Sequence, residues 1–244
     1  MKLDERMKKY EYITRQYALP RTPLIIRVDG RAFHTLTKKF NKPFDLLFKH
    51  AMLAAAEGVI KDLQGFKCAY VQSDEITFLL TDYDDLNTQG WFNYNISKMI
   101  SITSALASVH FNKYLLKNHE TFYDPVQVFD SRAFNIPIEE VSNMFLWRAK
   151  DNYKNSVQTF ARSLFSHKEL HGKSVEDMLN MCREKGKPWE DIYDLYKNGA
   201  FYTNSSKIPN CSKLIFRFDI RPNFTDIDNL IKPLITFNKE INNE

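Results

Sequence analysis

Three cysteines in 244 residues, Cys68, Cys182 and Cys211, are odd in number and widely spaced. They exclude a disulfide framework and a cysteine-built metal knuckle, and they point to a reducing compartment. The 7 glycines and 9 prolines are too few for a fibrous repeat or a long flexible linker. No apolar run approaches the ~18 residues that suggest a membrane span. The opening stretch, MKLDERMKKYEY, lacks the apolar core of a secretory signal. The expected chain is not secreted; it is cytoplasmic or mitochondrial and has no membrane partner. Neither sign of charge dominates: 34 Lys and Arg against 30 Asp and Glu leave +4. That excess is compatible with a polyanionic partner without demonstrating one.

Hydrophobic residues make up 43% and aromatics 14%, enough for a sizeable core. Residues 23–29 (PLIIRVD) form an apolar run ending on a charge, which predicts a buried strand. Asp45 precedes a helical pattern: Phe48, Met52, Ala55, Ala56, Val59 and Leu63 recur at spacings of three and four until Gly65. Residues 66–71 and 75–81 read as strands joined by Gln72-Ser73-Asp74, a hairpin length. A second long helix is predicted over 91–116 and a fourth strand over 125–130. Strand, helix, strand, strand, helix, strand is the ferredoxin-like order, an α+β fold whose antiparallel sheet carries two helices on one face. This palm-like part is expected over residues 1–137. Residues 138–244 are expected to form a mostly helical extension. Its helices fall over 139–170, after Ser174, and from Pro188 to Gly199, and a late strand covers 212–219.

Two stretches carry the chemistry: RVDGRAFH at 27–34 and QSDE at 72–75. In a ferredoxin-like sheet the end of the first strand lies beside the hairpin joining the second and third. Asp29, Asp74 and Glu75 then converge. Gathered carboxylates repel one another and need cations, and oxygen ligands suit Mg²⁺. Two such ions can clamp a phosphoryl-transfer transition state. Gly30 permits close approach to a phosphate, and the amides of residues 30–34 are placed to cradle it. Taken singly, Asp-Gly is an ordinary turn and Ser-Asp-Glu an ordinary hairpin tip. His167 and His171 are four apart, but Glu169 is not where a zinc protease places its base, so they read as a solvated helix pair.

The run RVDGRAFH, then KPFD at 42–45, YVQSDEITF at 70–78, SKMISITSALAS at 97–108 and FDSRAFNIP at 129–137 resembles the tRNA-histidine guanylyltransferase superfamily. The resemblance implies a polymerase-like palm with helical extensions, usually a homotetramer, that adds nucleotides to the 5′ end of tRNA. It implies two Mg²⁺ ions on Asp29, the Gly30 carbonyl and Asp74, with Glu75 beside them in the catalytic set. ATP and GTP or another nucleoside triphosphate are the implied substrates. Triphosphate contacts match Gly30, Arg31, Ala32, Phe33 and His34. Lys42, Asp45 and Ser73 match positions tied to nucleotide activation, and Lys98 joins the nucleotide contacts. Arg27, Arg132, Arg148 and Asn155 match RNA or phosphate contacts.

One block departs from the pattern. Histidine-tRNA enzymes of eukaryotes carry HINNLYN where this chain reads Tyr153-Lys-Asn-Ser-Val-Gln-Thr159, with only Asn155 in register. The departure points to the guanylyltransferase-like branch, which repairs truncated tRNA 5′ ends by copying the opposing strand. The alternatives are a histidine-specific guanylyltransferase, a nucleotidyl cyclase with the same palm, and a non-catalytic RNA-binding module. The last is disfavoured by the absence of an aromatic RNP-like run.

Overall fold

The computed structural model describes residues 1–85, 87–118, 126–203, 212–214 and 221–236. An exposed helix, α1 (Leu3–Ile13), precedes β1 (Leu24–Gly30), a short α2 (Phe33–Leu36) and α3 (Leu46–Ile60). A hairpin follows, β2 (Phe66–Gln72) and β3 (Glu75–Leu80), then α4 (Ile96–Asn118) and β4 (Phe129–Asn135). The second half supplies α5 (Val141–Leu164), α6 (His167–Leu170), α7 (Val175–Glu184), α8 (Asp194–Asn198), β5 (Ala200–Thr203), β6 (Ser212–Leu214) and α9 (Phe224–Ile235).

The strands form one antiparallel sheet in the order β4-β1-β3-β2-β5-β6. Alternate residues of a strand face opposite sides, and each side has its own core. Ile26, Val28, Ile76 and Phe78 pack with Ala51, Met52, Ala56 and Val59 of α3 and with Met99, Ala107 and Phe111 of α4. Ile25, Tyr70, Leu79 and Phe201 pack with Phe145 and Ala149 of α5 and with Ile227, Ile231 and Ile235 of α9. The α+β class and the two helices on one face are as expected. The chain past residue 137 is more than an appendage. It adds β5 and β6 to the sheet and covers the second face with α5 and α9. A third, smaller core joins Val157 and Ala161 of α5 to Leu170, Met178, Leu179, Cys182 and Trp189.

Several boundaries differ from the sequence expectation. The fourth strand is displaced from 125–130 to Phe129–Asn135, where it pairs with the whole of β1. Val126–Val128 lies outside the strand, and there the Gln127 amide donates to Asn112 Oδ1 at 2.9 Å. The second long helix starts at Ile96 because Phe92, Asn93 and Tyr94 take left-handed backbone angles. The helix expected over 139–170 breaks after Leu164, where Ser166 and Glu169 cap α6 reciprocally. Pro188–Gly199 holds a short turn at Trp189–Asp191 and then α8. Of the late strand at 212–219, residues 215–219 lie outside the described residues, as does Cys211. Among the described residues no helix is long and apolar enough to cross a membrane.

Candidate active site

β1 delivers Asp29 to one end of the sheet, and the β2–β3 turn delivers Asp74. The Gly30 amide donates to the Asp74 carbonyl at 3.0 Å, tying the two together. Asp29 stands opposite Glu75 in β3 and opposite Asp130 in β4. Directly paired residues of an antiparallel ladder share a face, so carboxylates flank Asp29 on both sides. Burial, then the charges of Asp74, Glu75 and Asp130, hold the Asp29 carboxyl above the usual carboxylate range, and Arg132 partly offsets them. A divalent cation relieves that repulsion, and carboxylate and carbonyl oxygens are its preferred donors. Among the described residues no three Asp, Glu, His or Cys side chains gather as a complete ligand set. The expected set of two carboxylates with the Gly30 carbonyl is consistent with this, and substrate oxygens would complete it.

Glu75 turns away from the metal end. Its Oε2 accepts from Arg27 Nη2 at 2.5 Å and from Arg148 Nη1 at 2.9 Å, and its Oε1 accepts from the Thr77 hydroxyl at 3.3 Å. Arg148 also reaches Asp151 Oδ2 at 3.3 Å. The Trp147 ring lies 3.8 Å from the Arg148 guanidinium carbon and 5.4 Å from that of Arg27. The side chains of Arg27 and Arg148 are only 15% and 6% exposed. The phosphate contacts expected of these two arginines therefore give way to a buried ion network. A guanidinium buried this far needs carboxylate partners to offset its lost hydration. Glu75, expected in the catalytic set, is engaged by Arg27 and Arg148 instead. Arg132 differs: its side chain is 55% exposed at the sheet edge, 3.3 Å from Asp130.

The Gly30-to-His34 turn narrows as a cradle. The Gly30 amide is taken by Asp74 and the Arg31 amide by the Val128 carbonyl at 3.0 Å. The amides of Ala32, Phe33 and His34, at the start of α2, have no backbone acceptor among the described residues. The Phe33 side chain is core, packed on Phe48, Phe111 and Phe129. That packing explains Gly30: a Cβ there would lie 2.5 Å from the Phe33 ring. Ala32 takes a left-handed φ of 55° to turn the chain.

Beside Asp74 opens a pocket of about 230 Å³. Lys42, Asp45, Ser73 and Asn155 all line it, so the structure brings these four expected residues together. Asp45 is also the cap of α3, accepting from the Phe48 amide at 3.0 Å and from the Asn41 amide and side chain. Lys42 Nζ donates to the Thr37 carbonyl at 2.6 Å. The remaining lining includes Lys49, Asn152, Thr159, and the stacked pair Phe44 and Tyr196 with ring centres 4.8 Å apart. Lys98 does not join this end. It is exposed next to Met99, which lines a small cavity with Leu24 and Leu80 at the far strand ends. His167 and His171 keep their rings 6.2 Å apart with no metal cluster among the described residues.

The profile of the tRNAHis guanylyltransferase family, Thg1, matches residues 4–137, more than half of the chain. The chain belongs to that family. Its members are nucleotidyltransferases. A bacterial Thg1-like protein solved in complex with ATP shares 32% identity and a TM-score of 0.87 over 97% of this chain and 100% of that one. A bacterial Thg1-like protein in complex with GTP gives 30% and 0.81. The tRNA(His) guanylyltransferase of Schizosaccharomyces pombe is 33% identical over 156 residues, 63% of this chain. The chain spans 57% of that relative's length.

Within the guanylyltransferase family frame, the sequence missed Asp130, Lys49, Asn152 and Tyr196. Asp130 was visible in FDSRAFNIP, but a strand ending at residue 130 hides its pairing with Asp29. Asn152, whose Nδ2 donates to the Lys197 carbonyl at 2.9 Å, and Tyr196 enter only because α5 and α8 fold back on the palm. No local signal announces that.

Proposed function

We propose that this guanylyltransferase-family chain adds nucleotides in the 3′-to-5′ direction to the 5′ end of a truncated tRNA or similarly structured RNA, copying the opposing strand. The observation that carries the reading is one end of the sheet. There the Gly30 amide ties Asp29's strand to Asp74, and Ser73, next to Asp74 in the chain, lines a pocket with Lys42, Asp45 and Asn155. In the first step a 5′-monophosphate oxygen of the RNA attacks the α-phosphorus of ATP. The α–β anhydride bond breaks and pyrophosphate leaves with the bond electrons. A 5′-triphosphate makes this step unnecessary. In the second step the 3′-hydroxyl of the incoming nucleotide loses its proton and attacks the phosphorus bonded to the RNA 5′ oxygen; the anhydride bond from that phosphorus breaks, and AMP or pyrophosphate leaves. Two Mg²⁺ ions on Asp29, Asp74 and the Gly30 carbonyl would supply hydroxyl activation and charge neutralisation. The amides of Ala32, Phe33 and His34 hold the incoming triphosphate, with Arg31 and His34 exposed beside them.

The altered block at 153–159 supports repair over histidine-specific guanylylation. Its surviving Asn155 lines the nucleotide pocket, and the rest lacks the HINNLYN side chains. A homotetramer is part of the same proposal. The test is incubation with a 5′-truncated tRNA, Mg²⁺ and each nucleoside triphosphate, read at single-nucleotide resolution. Extension that stops at the end of the template is expected. A cyclic nucleotide formed without RNA would establish the cyclase reading. RNA binding without nucleotide turnover would establish the binding module.

A further inference from the structure

Lys49 has no part in the chemistry set out above. It lies on the first turn of α3, four residues after the cap Asp45, and its side chain lines the pocket beside Asp74. The two lysines of that pocket differ. Lys42 is satisfied by the Thr37 carbonyl, whereas among the described residues no hydrogen bond or ion pair engages the Lys49 ammonium. Burial pushes the Lys49 ammonium down to about 8, and the Asp74 charge pulls the other way. The Lys49 side chain is half-buried, and an ammonium partly withdrawn from water without an anion carries a cost. A ligand that brings the anion recovers that cost.

The pocket lining identifies the ligand's parts. Phe44 and Tyr196, stacked on one another, give the lining an aromatic edge, and Asn155 and Thr159 add amide and hydroxyl groups, the partners of a nucleoside. Ser73 precedes the carboxylate of Asp74, where phosphates meet metal ions. Lys49 lines the pocket together with Ser73 and so stands on the phosphate side.

We propose that Lys49 contacts the phosphate of the nucleotide held in this pocket and serves the activation step. The inference rests on the proposed reaction and adds a residue to it. Lys49 stays protonated throughout and binds a non-bridging oxygen of the α-phosphate as a point charge. Its charge offsets the negative charge that accumulates while the RNA phosphate oxygen bonds to the α-phosphorus and pyrophosphate departs. Partial withdrawal from water makes that attraction larger than at an exposed site. The incoming nucleotide's triphosphate meets the amides of residues 32–34 instead, so addition to 5′-triphosphate RNA does not need Lys49.

The test compares the full chain with Lys49→Met, which keeps the length of the side chain, and Lys49→Arg, which keeps its charge. Three quantities are read: equilibrium ATP binding with Mg²⁺, adenylylation of 5′-monophosphate RNA, and addition to 5′-triphosphate RNA. Lys49→Met is expected to weaken ATP binding and slow adenylylation by about tenfold or more, the loss of one charge-assisted hydrogen bond. Addition to 5′-triphosphate RNA is expected to stay within about twofold, and Lys49→Arg to recover part of the binding. Wild-type ATP affinity in Lys49→Met, or equal loss of both reactions, would overturn the inference. Thermal unfolding accompanies both variants; should Lys49→Met fail to fold, Lys49→Gln replaces it under the same criteria. If wild-type protein adds no nucleotide to any RNA while Lys49→Met still weakens ATP binding, the reaction reading fails and the phosphate contact stands.

Discussion

Asp29 and Glu75 face each other across β1 and β3, and their neighbours give them different tasks. Asp29 is surrounded by like charges. Glu75 is surrounded by arginines and is already paired. A carboxyl held above its ordinary value in the fold binds its proton more tightly than the unfolded chain does. Its ionisation therefore costs stability as pH rises from the unfolded value to the folded one, and the cost persists above that. Asp29→Asn should accordingly raise the urea midpoint of the metal-free protein at neutral pH, with the gain fading in acid where wild-type Asp29 is protonated. The same variant, like Asp74→Asn, should lose nucleotide addition by more than about 100-fold, beyond what outer partners of a metal site cost. Glu75→Gln should behave in the opposite way. Removing one charge from a buried network leaves its partners uncompensated, at about 3–5 kcal/mol. Urea unfolding of the two variants side by side checks the pair of assignments.

α3 shows how one element serves fold and site together. Asp45 caps it and orders Asn41, and its first turn carries Lys49 into the pocket. Asp45→Ala should destabilise the protein by about 1 kcal/mol, the usual loss of a cap, while Asp45→Asn keeps most of that stability. Denaturant titration of both variants measures it, and nucleotide addition by Asp45→Asn reports what the carboxylate does besides capping. The cap and the period of three and four made α3 readable from sequence, but the helix ends at Ile60 rather than running through Leu63 to Gly65. β1, β2 and β3 were readable because they are apolar runs ended by turns. β4 was misplaced because an edge strand alternates charge with small residues, and Asp130, Ser131 and Arg132 carry no apolar signal. β5 is four buried residues after a helix, too short to announce itself. α9 had a cap in Asn223 and Asp226, but Pro233 inside it masks the helical pattern. The convergence of Asp29 and Asp74 follows from topology and was legible. The direction of the Glu75 side chain was not, since Arg148 arrives from 73 residues away.

At the scale of the whole molecule, the second half of the chain closes the site that the first half begins. α5 lays Arg148 under Glu75 and Asn155 into the pocket, and α8 brings Tyr196 onto Phe44. Neither half contains that pocket alone. In the proposed reaction the side chains at the carboxylate end would meet phosphates, groups that position a substrate without reporting its sequence. The identity of the added nucleotide would then be left to base pairing with the opposing strand. The anticodon then matters little: changing it should alter the rate by less than about tenfold, or roughly 1.4 kcal/mol. The most direct measurement varies the nucleotide opposite the missing 5′ position of a truncated tRNA, offers all four nucleoside triphosphates with Mg²⁺, and sequences the product. The account predicts that the added base follows each change by complementarity and that addition ceases where the template ends. Addition of G whatever stands opposite, confined to tRNA bearing the histidine anticodon, would contradict it.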